Sequence, residues 1–202
     1  VHTSIAFSLI VGIIVSILGI IFSKTMLSNM NIPDDMMSMA LPYLQIYFLG
    51  LAPNLIYNMG AGLLRAVGDS KTPLIFLVIS CFVNIVLDII LIRYMNMGVT
   101  GAAIATVTSQ IISAVLVIIV LYHRNDALKL RLKSLQINFS ELRKMISIGT
   151  AAGMQSAMYT IANILIQASI NSLGTDTIAA FTAYGKIDTL FWMTIQSLGI
   201  SV

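Results

Sequence analysis

Asn84 and Asp88 stand four residues apart inside an apolar run, PLIFLVISCFVNIVLDIILI, that extends from Pro73 to Ile92. Four residues is about one helical turn, so the amide and the carboxylate share a face. The run has the length of a membrane-spanning helix, about 20 residues, and a carboxylate in hydrocarbon costs at least roughly 2.5 kcal/mol on insertion scales. Leucine would fill the same space without that cost, so the acid is read as a group that binds or carries something. The next apolar run begins at Gly101 after a short connection from Arg93 to Thr100, which makes the two helices antiparallel neighbours. Measured inward from the outer ends at 1.5 Å per residue, Asp88 lies about 6 Å deep and Thr106 about 8 Å deep. Asn84 falls level with Gln110 one turn further in. A carboxylate, an amide oxygen and a hydroxyl meeting in a low-dielectric pocket suit Na⁺, and equally suit a carboxyl that exchanges a proton. A plainer reading pairs Asp88 with Arg93, or makes it a hydrogen-bond acceptor within a bundle.

Two further sets of residues have types that could do work. Gly50, Asn54, Asn58 and Gly62 share one face of an earlier run, in which Pro53 removes the helical bond to Leu49. Asn54 and Asn58, with Gln110, are candidates to line a substrate cavity, or else bond across helices. Lys186 and Asp188 fall near the middle of the last apolar run, two apart and so on different faces. Ionisable groups at such depth are functional suspects by default, with a structural ion pair as the competing reading. No phosphate-binding glycine loop, zinc spacing or serine–histidine–acid set is present, so neither an enzyme nor a cofactor is expected, nor a metal beyond Na⁺ at Asp88. Cys81 is the single cysteine, which excludes an internal disulfide. His2 and His123 flank apolar runs as surface residues.

The elements that must position these groups follow from composition. Of 202 residues, 58% are hydrophobic and 9% charged, more apolar side chain than a water-soluble domain of this size can bury. The fold class expected is all-α, a polytopic membrane bundle. Six spans are read, Ser4–Phe22, Leu41–Leu64, Pro73–Ile92, Gly101–Tyr122, Met145–Ile170 and Thr177 to about Gly199. An alternative start for the second is Asp34, as an interfacial turn, and Thr72, Thr100 and Ser140 are the expected caps. If the spans alternate, one side receives eight basic residues, Arg65, Lys71, Arg124, Lys129, Arg131, Lys133, Arg143 and Lys144, and the other only Lys24 and Arg93. The positive-inside rule makes the first side, with loops 65–72 and 123–144, cytoplasmic. The connection from His123 to Lys144 holds an alternating piece, LKLRLKSLQINF, suited to lying on a membrane surface, and is the natural boundary between two bundles. Ser8, Gly12 and Ser16, then Gly101, Ala105, Ser109 and Ser113, then Gly149, Gly153 and Ala157, repeat small residues at helical spacing, the pattern that lets membrane helices approach closely. Lipid is the expected partner and nucleic acid is not, because the basic residues are scattered between apolar runs. The chain begins at Val1 and stops at Val202 within apolar runs, and reads as cut at both ends.

These residues resemble the multidrug and toxic compound extrusion (MATE) transporters. The resemblance is carried by LLRAVGDSKTPL (Leu63–Leu74), NIVLD (Asn84–Asp88), GVTGAAIATVTSQ (Gly98–Gln110) and the stretch from Ile146 to Phe181. It implies a fold of twelve spans in two lobes, of which residues 1–122 would be the third to sixth spans, 123–144 the inter-lobe linker and 145–202 the seventh and eighth. It also implies a monomeric secondary antiporter of a cell membrane that exports organic, often cationic, drugs in exchange for H⁺ or Na⁺. In the family an asparagine, an aspartate and a threonine join a first-span aspartate as a cation site. The first three carry over to Asn84, Asp88 and Thr106, and the fourth would lie before Val1. A seventh-span glutamate used by one branch falls at Asn163, a departure that favours coupling through the N-terminal lobe. The nearest alternative is a flippase of lipid-linked oligosaccharides from the same wider superfamily. A non-transporting membrane scaffold would instead tolerate neutral substitutions at all three site residues.

Overall fold

A computed structural model describes residues 1–29, 34–124, 128–131, 136–171 and 175–201, and among them every regular element is helical. In chain order these are α1 (His2–Asn29), α2 (Asp34–Leu49), α3 (Leu51–Ala66), α4 (Lys71–Asp88), a π-helical continuation of α4 (Ile89–Tyr94), α5 (Gly98–His123), α6 (Phe139–Asn171) and α7 (Thr175–Ser201). The chain divides into two compact units, Val1–Leu142 and Arg143–Val202.

In the first unit the usual distribution of side chains is inverted. Ser23 is fully buried while Ile21, two residues away, is 63% exposed. Ala103 and Ala105 are also buried completely, whereas Phe82 points outward at 69% exposure. Lipid tails are as apolar as leucine, so nothing drives isoleucine inward, and small residues win the interfaces because they let backbones meet. Gly12 shows how close the approach is: a Cβ there would lie 2.6 Å from Cα of Ala52 on α3. Several buried hydroxyls cost little because they bond to their own helices, Ser8 donating to the Ser4 carbonyl (2.9 Å) and Ser113 to that of Ser109 (2.8 Å), while Ser16 Oγ is buried without a partner. The small-residue faces of α1 and α5 are buried as expected. Those of α6 are not packed among the described residues, since a Cβ at Gly149 or Gly153 would meet nothing within 4 Å.

Helices cover all six apolar runs, with different ends. Four stretches have the length and hydropathy to cross a membrane, His2–Ser28, Met37–Ala66, Lys71–Tyr94 and Gly98–His123. Among the described residues α6 and α7 are not in that set although they are long enough, at 33 and 27 residues. Polar side chains such as Gln155, Ser156, Thr160 and Gln196 dilute them. The long second run is two helices separated at Gly50. Pro53 then sits in the first turn of α3, where no N–H is needed. The expected caps are each displaced. Thr100 lies inside α5. Thr72 is capped rather than capping: Asp69 takes its backbone N–H (3.1 Å) and its hydroxyl (3.0 Å). Asn138, not Ser140, opens α6, its Oδ1 accepting the Ser140 N–H at 3.0 Å.

The basic connection after α5 is held against the first unit. Leu128 and Leu130 are buried beside Ile5, Ile56, Leu64, Val117 and Leu121 in one core cluster, while Lys129 and Arg131 are exposed. This is the period-two alternation of an extended segment with one face covered. Leu130 N–H donates to the Leu121 carbonyl (2.8 Å), Arg131 N–H to Nε2 of His2 (3.0 Å) and Asn138 N–H to the Thr3 hydroxyl (3.2 Å). So His2, taken from sequence as a plain surface residue, is a tether. Lys133, counted among the cytoplasmic basic residues, lies outside the described residues.

Candidate functional site

Three helices of the first unit build one polar cleft. α3 contributes Asn54 and Asn58, α4 contributes Asn84, and α5 contributes Thr106 and Gln110, around a volume of about 380 Å³. α4 and α5 pack along each other, and the short turn between them, with φ of +52° at Asn96 and +55° at Gly98, makes them antiparallel, as the sequence requires. Asn84, Thr106 and Gln110 therefore come together from separate helices at one place.

Each polar group has a definite hydrogen-bonding status. Thr106 Oγ1 donates to the Ala102 carbonyl at 2.9 Å, which spends its proton on its own helix and leaves lone pairs to accept. Asn58 Nδ2 donates to the Asn54 backbone carbonyl (2.9 Å) and to the Asn54 side chain. Those two amides thus hold each other along α3. By contrast, Nδ2 of Asn84, Oδ1 of Asp88 and Oε1 of Gln110 are buried without any hydrogen-bond partner. An unmet buried polar atom costs about 1–3 kcal/mol, and three of them on adjacent helices are not a packing economy. Two are oxygens, hard donors of the kind Na⁺ takes. Those oxygens, with that of Thr106, offer a cradle of lone pairs, whereas Nδ2 of Asn84 is an N–H donor and cannot ligate a cation.

Asp88 is placed differently from the other three. It is half-buried and lies one turn from Asn84, but it is not among the residues lining the cleft. It is the last residue before the helix widens into π-helical turns at Ile89–Tyr94, where Met95 N–H reaches the Ile90 carbonyl at 3.0 Å. Such widening rotates the following residues around the axis and recurs at functional places in helices. Arg93 is exposed within that segment and forms no ion pair with Asp88, so the pairing reading is not realised. Tyr57, Leu77, Ser80, Cys81, Ser109 and Ser113 complete the lining among the described residues. The serines on α5 were visible in the sequence only as small packing residues. Tyr57, whose hydroxyl donates to the Pro73 carbonyl at 2.9 Å, carried no signal beyond lying three residues from Asn54.

Residues 1–90 match the MatE family model. YpnP of Bacillus subtilis (strain 168), a probable multidrug resistance protein, is 31% identical over 188 residues, an alignment covering 91% of this chain and 41% of YpnP. The first 90 residues of this chain are MatE-family sequence. The outward-facing conformation of a multidrug resistance MATE family transporter of the MOP superfamily superposes with a TM-score of 0.83, at 24% identity, over 93% of this chain and 42% of that one. An inward-facing conformation so described gives 0.73, at 24% identity, over 92% and 43%. These likenesses establish a MATE fold. The chain spans about two-fifths of the length of the relatives it matches.

The remaining candidates are not among the residues lining the cleft. Asn163 is exposed on α6. Lys186 and Asp188 belong to α7 in the second unit, Lys186 exposed and Asp188 half-buried.

Proposed function

We propose that this chain is part of a membrane-embedded secondary antiporter that exports organic, often cationic, compounds in exchange for H⁺ or Na⁺. Asn84, Asp88 and Thr106 handle the coupling ion, and Asn54, Asn58 and Gln110 line the adjoining polar cavity. The observations that carry this reading are the buried, unpartnered oxygens of Asp88 and Gln110 and the meeting of Asn84, Thr106 and Gln110 at one cleft. Ion binding in such a cradle favours one packing of the helices and substrate the other, which is all that alternating access requires. MATE relatives described in inward- and outward-facing conformations support the same scheme. No basic residue lines the cleft among the described residues, which speaks against a cavity for anionic lipid-linked sugars. The proteins of this family are transporters rather than enzymes, and the chain is read as multi-pass in the cell membrane, with loops 65–72 and 123–144 on the cytoplasmic side.

The test is transport by the full-length protein reconstituted in vesicles, with ethidium as substrate. Imposing a pH gradient or a Na⁺ gradient alone should drive ethidium movement in one of the two cases. Movement that ignores both gradients contradicts antiport.

A further inference from the structure

The basic connection after α5 runs across the ends of two spans, and the proposed ion site makes no use of it. The Leu121 carbonyl near the end of α5 holds the Leu130 N–H (2.8 Å), and Nε2 of His2, the first residue of α1, holds that of Arg131 (3.0 Å). α5 has 26 residues, about 39 Å at 1.5 Å per residue, whereas the hydrocarbon core of a bilayer is about 30 Å thick. The last turn of α5 therefore stands among lipid headgroups. Tyr122 is exposed there, at the level where tyrosine collects in membrane proteins. Because Leu128 and Leu130 are buried beside Leu64, Lys129 and Arg131 face outward, and both are exposed. Arg65, next to Leu64 at the end of α3, is exposed as well. Neither Arg65 nor Arg131 forms an ion pair among the described residues, and the nearby acid Asp69 is committed to Thr72 and Arg124.

We propose that the docked connection seats the headgroup of an anionic phospholipid. The guanidinium forks of Arg131 and Arg65 match the paired oxygens of a phosphate, and Lys129 adds a point charge. The leucines set the depth. Anchored in the bundle, they hold these cations in the headgroup layer, where a loose basic loop would leave them in water. This end of the bundle is the one read as cytoplasmic, and the cytoplasmic leaflet is the one rich in anionic lipid. A soluble phosphate ester offers the same anion but lacks the acyl chains that would keep it at this depth. The proposal goes beyond ion-driven export and is independent of Asp88.

The experiment titrates the purified full-length protein in detergent with phosphatidylglycerol or with phosphatidylcholine, and native mass spectrometry reads the affinity for the first lipid bound. The parent should prefer phosphatidylglycerol. Lys129→Gln and Arg131→Gln, both on the exposed face, should each weaken phosphatidylglycerol binding roughly fivefold, about 1 kcal/mol, and leave phosphatidylcholine binding unchanged. Lys24→Gln, at the opposite end of α1, should leave both unchanged. Leu130→Ala keeps every charge but releases the connection, and the folded fraction collected by gel filtration should lose the preference too. An excess of inorganic phosphate should not displace the lipid. The proposal is overturned if the Lys129→Gln, Arg131→Gln double variant keeps the parent preference. It is also overturned if folded Leu130→Ala keeps that preference, or if phosphate competes the lipid away.

Discussion

Gly50 and Gln110 touch where α2 gives way to α3: a methyl group built on Gly50 would collide with Oε1 of Gln110. The glycine therefore does two jobs. It lets the chain break ahead of Pro53, and it leaves room for an unpartnered amide oxygen to sit at the cleft. Gly50→Ala should push Gln110 out of place and cost about 1–3 kcal/mol, the usual penalty for overpacking. Gly62→Ala on the same face meets nothing within 4 Å and should be neutral or stabilise by up to about 1 kcal/mol. Thermal unfolding of the full-length protein in detergent distinguishes the two.

Asp69 ties the α3–α4 turn to the end of α5. Its carboxylate accepts from Thr72 and meets Nη1 of Arg124 at 3.4 Å. The Thr72 backbone N–H, and then its hydroxyl and Arg124, hold the Asp69 carboxyl below the ordinary aspartate range against a smaller opposing effect of burial. A folded pKa below the unfolded one stabilises the protein above the unfolded value, near 3.9, and that stability is lost as pH falls through the folded value. Asp69→Ala should cost about 1 kcal/mol at neutral pH, as for a lost cap. It should also flatten the decline of melting temperature below about pH 4.

Leu130 fastens the basic connection to the core and is fully buried. Leu130→Ala should cost about 2–5 kcal/mol, whereas Arg131→Ala, on the exposed face of the same segment, should stay within about 0.5 kcal/mol. Limited proteolysis reads the difference directly. The connection should become cleavable in the leucine variant and stay protected in the arginine variant.

Much of this fold was legible because lipid imposes simple rules. Among the described residues, length and charge exclusion located helix in each apolar run but not the division of the second at Gly50, and the small-residue faces of α1 and α5 pack as their spacing demands. Helix ends were less legible, since Thr72, Thr100 and Ser140 are all plausible caps by type. The choice of Asp69 or Asn138 instead depends on a hydrogen bond that only the folded turn creates. Counting depth brought Asn84, Thr106 and Gln110 together correctly. Asp88, one turn from Asn84, is not among the residues lining the cleft, and the π-helical turns that begin at Ile89 have no signature in uniform α-helical spacing. The docking of Leu128 and Leu130 was hidden for a different reason: alternation in the sequence names a covered face without naming what covers it.

The account turns on Asp88 as the group through which an ion drives export. Gradient-driven ethidium transport by the full-length protein carrying Asp88→Asn measures this most directly, with Asp88→Glu alongside and membrane insertion checked for both. The asparagine variant should lose coupled transport by roughly a hundredfold or more, equivalent to about 2.7 kcal/mol, while the glutamate variant retains a substantial part. Transport by Asp88→Asn at the parent rate under the same gradient would contradict the account.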